Sequence, residues 1–421
     1  MQKTAAMSAS PILYQNADKS VTLIDIPVSI AEAQGVECRL LSSTARDEPF
    51  PSTEPRSPAA RARVLALMKS NVSDAIHCDL IREALQEIQL EHTGSWCKSR
   101  FVLDAGFDDG KSRKPMEDQI SECLGSISRA SRRGKTQVVV SDSENANVLS
   151  NWDGSYFNDS GTSQTLRIAS AAVADADAVS ERDAFEDLHF DIPLQASFLL
   201  SDCWAADKFR DHVRWVSQER DNSRKFDLIL MDPPWENRSA KRSASYETSS
   251  VQAMMENMDL PSYLQPNGYV GIWVTNKTAH RELVLGEGGI FQHLNVTLVE
   301  EWVWIKTTTK GEPVTQLDGI WRKPFEVLLL GQAPDSRLQI ARPADKIARR
   351  VIAAVPDFHS RKPCLKTLIE PYLPIDPQVL EIFARYLVTG WTSWGNEVLK
   401  YNCKCFHEQE MNDGEGIRVS C

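Results

Sequence analysis

Phe226-Asp227-Leu228-Ile229-Leu230-Met231-Asp232-Pro233-Pro234-Trp235 is the stretch on which the fold turns. Its apolar run is short and nearly continuous, the pattern of a strand buried on both faces of a parallel sheet. Two consecutive prolines remove two backbone donors and hold the chain extended, so the strand must stop at Asp232. The carboxylate and the neighbouring carbonyls then face the crevice outside the strand's carboxyl end, where open α/β sheets bind ligands. Such a stiff acceptor platform suits an exocyclic aromatic amine. Accepting its two N–H hydrogens lets the nitrogen pyramidalise and aim its lone pair at an electrophile, with Trp235 stacked on the base. The bare four residues fit equally well a turn after a strand with a Trp packed in the core.

Around this stretch the chain alternates strands and helices. Strands are expected at 198–201, 226–231, 269–274, 296–305, 325–330, 351–355 and 379–383, with helices at 207–219 and 366–372. That alternation predicts a mostly parallel sheet covered on both faces. Trp302 and Trp304, two apart on one strand, should share a face, with Val303 on the other. No glycine fingerprint for a dinucleotide and no phosphate loop is present.

The blocks Ser197-Phe198-Leu199-Leu200-Ser201-Asp202, Asp232-Pro233-Pro234-Trp235-Glu236-Asn237 with Lys241-Arg242-Ser243, and Gly390-Trp391-Thr392-Ser393-Trp394-Gly395-Asn396-Glu397-Val398-Leu399 occur in one order. Together they resemble the adenine-N6 methyltransferases related to the catalytic subunit of the messenger-RNA adenosine methyltransferase, in particular the branch of methyltransferase-like protein four. The resemblance covers roughly residues 190–402. It implies an α/β fold: a Rossmann-like S-adenosylmethionine-dependent methyltransferase domain in permuted motif order, preceded by a smaller mixed N-terminal region with disordered inserts. It implies catalysis by Asp232, Pro233, Pro234 and Trp235. S-adenosylmethionine would be held by Asp202, Cys203, Asp232, Lys362, Glu381, Phe383, Arg385, Asn396 and Glu397, with Lys362 on the cofactor carboxylate. The substrate side would comprise Asn237, Lys241, Arg242, Trp304, Lys306, Lys323 and Glu326. Tyr386-Leu387 stands where relatives carry polar residues for the cofactor ribose, so the Tyr386 hydroxyl is the substitute expected there. The implied substrate is adenosine in a small nuclear RNA, 2′-O-methylated in one version, with DNA adenine second. A catalytically silent RNA-binding scaffold is the alternative from another class, and the intact Asp232–Trp235 motif speaks against it.

Composition sets the rest. A chain of 421 residues, 42% hydrophobic, can bury a large core and form two or three domains. The formal charge of -11 lies mostly in residues 1–195, and 196–421 is nearly neutral with local basic clusters that can track phosphates. No apolar run approaches the ~20 residues of a membrane span, and Met1-Gln2-Lys3-Thr4 lacks a secretory apolar stretch, so nucleus or cytoplasm is expected. Nine scattered cysteines suit reduced thiols, and no metal site is expected, Cys403-Lys404-Cys405-Phe406-His407 reading as an exposed strand or tail. The protein is taken as able to act as a monomer, with its protein partners left open. The expected divisions are an α+β region at 1–103, a low-complexity insert and linker at 104–190, the methyltransferase domain at 191–402 and a tail at 403–421. In the first, residues 11–26 read as a hairpin, and Ile76, Leu80, Ile81, Ala84, Leu85 and Ile88 as one apolar helix face. In the second, Arg129-Ala130-Ser131-Arg132-Arg133-Gly134-Lys135 reads as a solvated basic loop or an import signal, and 168–187 as a helix.

Overall fold

A computed structural model describes residues 10–408 except 53, 56, 60–61, 64–71, 103–115, 133–135, 143–144, 170–186, 236–250, 320–321 and 337. In chain order its main elements are β1 (Ile12–Gln15), β2 (Val21–Ile24), α1 (Ile26–Gln34), α2 (Val72–Glu91), α3 (Met116–Ser131), β3 (Thr136–Ser141), β4 (Ala146–Trp152), β5 (Ser155–Phe157), β6 (Gln164–Ile168), β7 (Leu188–Ile192), β8 (Ser197–Leu200), α4 (Ala206–Glu219), β9 (Phe226–Met231), α5 (Val251–Asn257), β10 (Leu264–Val274), α6 (Thr278–Leu285), β11 (Thr297–Lys306), β12 (Phe325–Gln332), β13 (Ala348–Ala354), β14 (Val379–Ile382) and β15 (Thr392–Gly395).

Eleven strands form one mixed, mostly parallel sheet in the order β1-β2-β13-β11-β12-β10-β9-β14-β15-β8-β5. β9 lies between β10 and β14, parallel to both, with Met231 beside Ile382. From β9 the chain departs to β10 on one side, and from β14 to β15 on the other. The carboxyl ends of β9 and β14 therefore border the crevice of a topological switch point. Side-chain alternation divides the sheet between two cores. Leu228 and Leu230 join Trp302 and Trp304 on one face, beneath α1 and α3. Ile229 and Met231 join Val303 and Ile305 on the other, beneath α2, α4, α5 and α6. The shared face of the two tryptophans is thus as expected.

The hairpin expected at 11–26 forms as β1–β2, and it extends the large sheet by pairing β2 in parallel with β13. Several expectations are corrected. The described part of 104–190 is more than a low-complexity insert and linker. It supplies α3, edge strand β5, and the antiparallel sheet β4-β3-β6-β7, built on Ile120, Leu124 and Ile127 of α3 and on Leu166 and Phe190. On α2, Ile81, Ala84, Leu85 and Ile88 are buried as expected, but Ile76 is exposed and His77 and Cys78 take the inner positions. The exposed-tail expectation for residues 403–407 fails because Cys403, Phe406 and His407 are buried, with β-bridges from Phe190 to Cys403 and from Leu40 to His407. The helix expected at 168–187 falls mostly outside the described residues; Ile168 ends β6, and Ala169 and Asp187 are not helical. No helix among the described residues is long and apolar enough to cross a membrane.

One buried carboxylate fastens α2 and α6 to the sheet. Glu301 is fully buried on β11, with His77 Nε2 at 3.1 Å, Arg349 Nε at 2.8 Å and a short ion pair to Arg281. Burial alone would raise its pKa, but His77 and Arg281 outweigh that and bring it to about 2. Because the folded pKa is depressed, the stabilisation is present above the ordinary carboxylate range and is lost as pH falls towards 2. Glu301→Gln should cost ~3 kcal/mol at pH 7 in urea unfolding, the scale for breaking a buried pair. The gap from the native protein should shrink at pH 3; a constant gap would show that charge is not what Glu301 contributes.

Candidate active site

The end of β9 delivers Asp232 as its sequence dictates. Beyond Met231 the prolines keep the chain out of any ladder, and the Trp235 N–H closes back on the Pro233 carbonyl at 2.8 Å. Trp235 is 6% exposed. Its Nε1 donates to the Trp273 carbonyl at 2.7 Å, and its ring stacks on His280 with centroids 4.6 Å apart. His280 is itself placed by a 2.6 Å contact between Nδ1 and Thr275 Oγ1. The expected stacking of Trp235 on a base is therefore corrected. The indole is a bolt joining the ends of β9 and β10 to α6, and it makes the Asp232 platform rigid.

Four charged side chains from four segments meet at the platform. Lys362 Nζ lies 2.6 Å from Asp232 Oδ2 and 3.3 Å from Glu326 Oε2, and Lys306 Nζ lies 2.6 Å from Glu326 Oε1. Asp232 follows β9, Glu326 is on β12, Lys306 ends β11, and Lys362 follows β13. Burial acts against the Glu326 charge, but Lys362 and Lys306 overcome it and lower its pKa to about 2. Burial likewise disfavours the Lys362 ammonium, and Asp232 and Glu326 reverse this and hold it charged. Lys306 also sits over the Trp304 ring, 4.7 Å from its centre.

A cavity opens beside this cluster, lined by Asp232, Trp273, Arg361, Lys362, Glu381, Phe383, Arg385 and Tyr401 among others. Glu381 points from β14, and its Oε2 is buried without a partner. Burial, helped by Asp232, raises its pKa to about 8, so the carboxyl is held as the acid at neutral pH. Arg385 Nη1 donates to the Ser360 carbonyl at 3.3 Å, and its Nε lies 3.4 Å from Glu397, which Lys400 approaches at 3.7 Å. Two residues on the cavity wall occupy left-handed backbone, Ser360 at φ 66° and Phe383 at φ 63°. A bulky residue is strained there, and such strain gathers at ligand sites.

The structure thus unites Asp232, Lys362, Glu381, Phe383 and Arg385 around one cavity, with Glu397 joined through Arg385 and Glu326 through Lys362. Asn396 follows β15, half-buried, one residue before Glu397. Other expected members lie elsewhere. Cys203 is fully buried in the core under α4, because the turn after β8 directs it away from the crevice. Asp202 caps that turn, accepting from the Trp204 N–H at 2.9 Å. Trp304 is core, packed edge-on against Trp273 at 6.3 Å. Lys323 donates to the Leu317 carbonyl at 3.4 Å and stands 4.0 Å from Asp74, outside the cluster. Tyr386 is 8% exposed at the cavity floor, and burial first, then Cys364, pushes its hydroxyl well above the usual range. Asn237, Lys241 and Arg242 lie outside the described residues. Residues that the sequence did not single out are His280 under Trp235 and Tyr401 on the cavity wall.

A carboxylate at the end of a buried parallel strand, beside a cavity lined by cations and one unpartnered carboxyl, can receive and orient an amino group at the crevice of an α/β fold. The MT-A70 family profile matches residues 226–397. The chain is 30% identical over 417 residues to the N6-methyladenosine RNA methyltransferase MTA1 of Cryphonectria parasitica, covering 95% of this chain and 94% of that one. It is 36% identical over 216 residues to the human N(6)-adenine-specific methyltransferase METTL4, 50% of this chain and 43% of the relative. A DNA N6-methyl methyltransferase of Caenorhabditis elegans is 33% identical over 174 residues, 41% of this chain and 45% of that one. The chain belongs to the MT-A70 family, and it is an adenine-N6 methyltransferase.

Two outcomes test the site's energetics. At a left-handed backbone position glycine is favoured over alanine by ~1 kcal/mol; Phe383→Gly should therefore be more stable than Phe383→Ala by that amount in chemical unfolding. The opposite order would show the backbone there to be unstrained. For Glu381, a folded pKa raised to about 8 means that stability is complete at mildly acidic pH and is lost as pH rises through 8. Melting of Glu381→Gln, followed from pH 5 to 9, should match the native protein at the acid end and exceed it at the alkaline end. Parallel curves would place the Glu381 pKa in the ordinary range.

Proposed function

We propose that the chain transfers a methyl group from S-adenosylmethionine to N6 of adenosine in RNA. The observation that carries this proposal is the Asp232 carboxylate, held in place at the crevice by Lys362 and the Trp235 bolt. The full-length match to an RNA methyltransferase favours RNA over DNA. Members of the MT-A70 family generally depend on S-adenosylmethionine, and the residues present fit it. The unpartnered Glu381 oxygen offers an acceptor for a hydroxyl or ammonium, and Arg385 and Lys362 offer charge to a carboxylate. When bound, the cofactor supplies an electrophilic methyl group.

The chain's own part is to prepare the nucleophile. With Oδ2 on Lys362, Asp232 Oδ1 and the Pro233 carbonyl accept the N6 hydrogens, and the lone pair turns out of the ring plane. These contacts strengthen as positive charge develops on nitrogen. N6 becomes acidic only after it has gained the methyl group, so Asp232 orients and polarises the amine and need not deprotonate it beforehand. The late position of β14, after the catalytic strand, agrees with a permuted motif order. A nuclear location, a small nuclear RNA and a 2′-O-methylated target adenosine are parts of the same proposal.

Asp232→Asn keeps the shape and turns an acceptor into a donor. Single-turnover transfer to RNA at saturating cofactor should fall roughly a hundred- to a thousandfold, the ~3–4 kcal/mol of one oriented transition-state contact. Transfer at the native rate would defeat the amine-orientation mechanism, and a native protein that modifies DNA oligonucleotides but no RNA would defeat the substrate. Replacing both Lys241 and Arg242 with alanine should flatten the salt dependence of RNA binding by about one to two slope units. An unchanged slope would leave these two residues without a phosphate.

A further inference from the structure

Helix α3 belongs to the part of the chain read as a low-complexity insert, yet its side chains reach the rim of the cavity. The Tyr401 hydroxyl donates a short hydrogen bond to the Glu117 carboxylate. The Ser121 hydroxyl, one turn on, donates to the Glu117 carbonyl at 2.9 Å. The first contact leads furthest inwards. Tyr401 lines the cavity, its ring lies 4.0 Å from the Arg361 guanidinium, and its N–H donates to the Arg385 carbonyl at 2.9 Å. Arg385 faces the same cavity and spans from Glu397 to the Ser360 carbonyl. An almost fully buried phenol must place its hydroxyl on an acceptor or lose the hydrogen bond it had in water. Glu117 therefore decides where the Tyr401 ring stands, and the ring and backbone of Tyr401 decide where Arg361 and Arg385 stand.

We propose that Glu117 is a positioning residue for the cofactor: from α3 it fixes Tyr401 and, through Tyr401, the Arg361 guanidinium and the Arg385 backbone on the cavity wall. This rests on the assignment of that cavity to S-adenosylmethionine. The geometry supplies the physical reason. An arginine on the cavity wall such as Arg361 has several side-chain torsions to lose on binding an anion or hydroxyl, and a frame that removes that freedom beforehand raises affinity without touching the ligand. Glu117 also places a negative charge near Arg385 and Lys400, which offsets their mutual repulsion. The helix itself is held by Ile120, Cys123, Leu124 and Ile127 in the core, so its carboxylate is anchored independently of the cavity.

Calorimetric titration of the full chain with S-adenosylmethionine tests this, with the RNA Michaelis constant measured in parallel. Glu117→Ala should weaken cofactor binding about tenfold, and Glu117→Gln, whose amide oxygen still accepts from Tyr401, should recover all but about threefold. The Michaelis constant for RNA should stay within about twofold in both. Tyr401→Phe should reproduce the loss, and adding Glu117→Ala to it should cost nothing more, since the two act through one bond. A general loss of structure would not be rescued by glutamine and would move the RNA constant as well. Native affinity in Glu117→Ala, a failure of Glu117→Gln to rescue, or additive losses in the double variant would overturn the proposal. A native protein that does not bind S-adenosylmethionine would overturn the cofactor assignment itself, an outcome distinct from equal binding by every variant.

Discussion

Asp232 must stay fixed and open to a ligand at the end of a strand whose every other side chain but one is buried. Those demands conflict, because a polar group at the margin of a low-dielectric core must find a partner. Lys362 resolves the conflict by engaging one oxygen only. A lone buried lysine would merely move the problem, so Glu326 balances Lys362 and Lys306 balances Glu326. The result is a chain of alternating charge that runs from β9 to the ends of β12 and β11, and it is satisfied as a unit. Breaking one member leaves a partly buried charge without its partner, so the cluster ties the ends of these strands to one another.

The segment that brings Lys362 to this place has little regular structure of its own. It runs from the end of β13 through Ser360 in left-handed backbone, and it is held from outside. Arg100 donates to the carbonyls of Val355 and Pro356 at 2.9 and 2.8 Å. The Arg361 guanidinium is fully buried, on Asp357 at 2.7 Å and the Leu41 carbonyl at 2.8 Å. Asp357 also accepts from the Ser43 N–H at 2.7 Å. The strain of Ser360 thus persists because residues 41–43 and 100 determine the loop from the N-terminal side.

Legibility from sequence followed the range of the forces involved. The strand at 226–231, the end imposed by Pro233 and Pro234, and the shared face of Trp302 and Trp304 are local consequences of proline stereochemistry and two-residue alternation. They were readable for that reason. Lys362, Glu381, Phe383 and Arg385 were found through a resemblance, and their convergence on one cavity depends on which strands are neighbours, a non-local property. Trp235 misled because an indole after a catalytic acid fits stacking on a base as well as bolting a core; only the carbonyl of Trp273 and the ring of His280 decide between them. The insert misled for a compositional reason. Its helix α3 buries a narrow stripe of Ile120, Leu124 and Ile127 among serines and charges, and β4 is exposed along most of its length. Neither carries enough apolar residues to stand out.

The family match at residues 226–397 contains every member of the alternating charge cluster, but it does not contain what orients them. Leu41, Ser43 and Arg100 lie before it, as does Glu117, and Tyr401 lies after it. The chemistry of the crevice is therefore written in one contiguous half of the chain, and its geometry is set by contacts from both flanks. That division fits the two kinds of similarity observed, a full-length one to the Cryphonectria MTA1 protein and a half-length one to METTL4. A carboxylate, two lysines and a strained turn can be kept in any chain that makes the same sheet. The frame around them can be rebuilt from different sequence, provided that some donor reaches the carbonyls at 355–356 and some acceptor receives the Tyr401 hydroxyl. In this chain those groups are Arg100 and Glu117, so the flanks are part of the active site's architecture although no atom of theirs need touch the substrate.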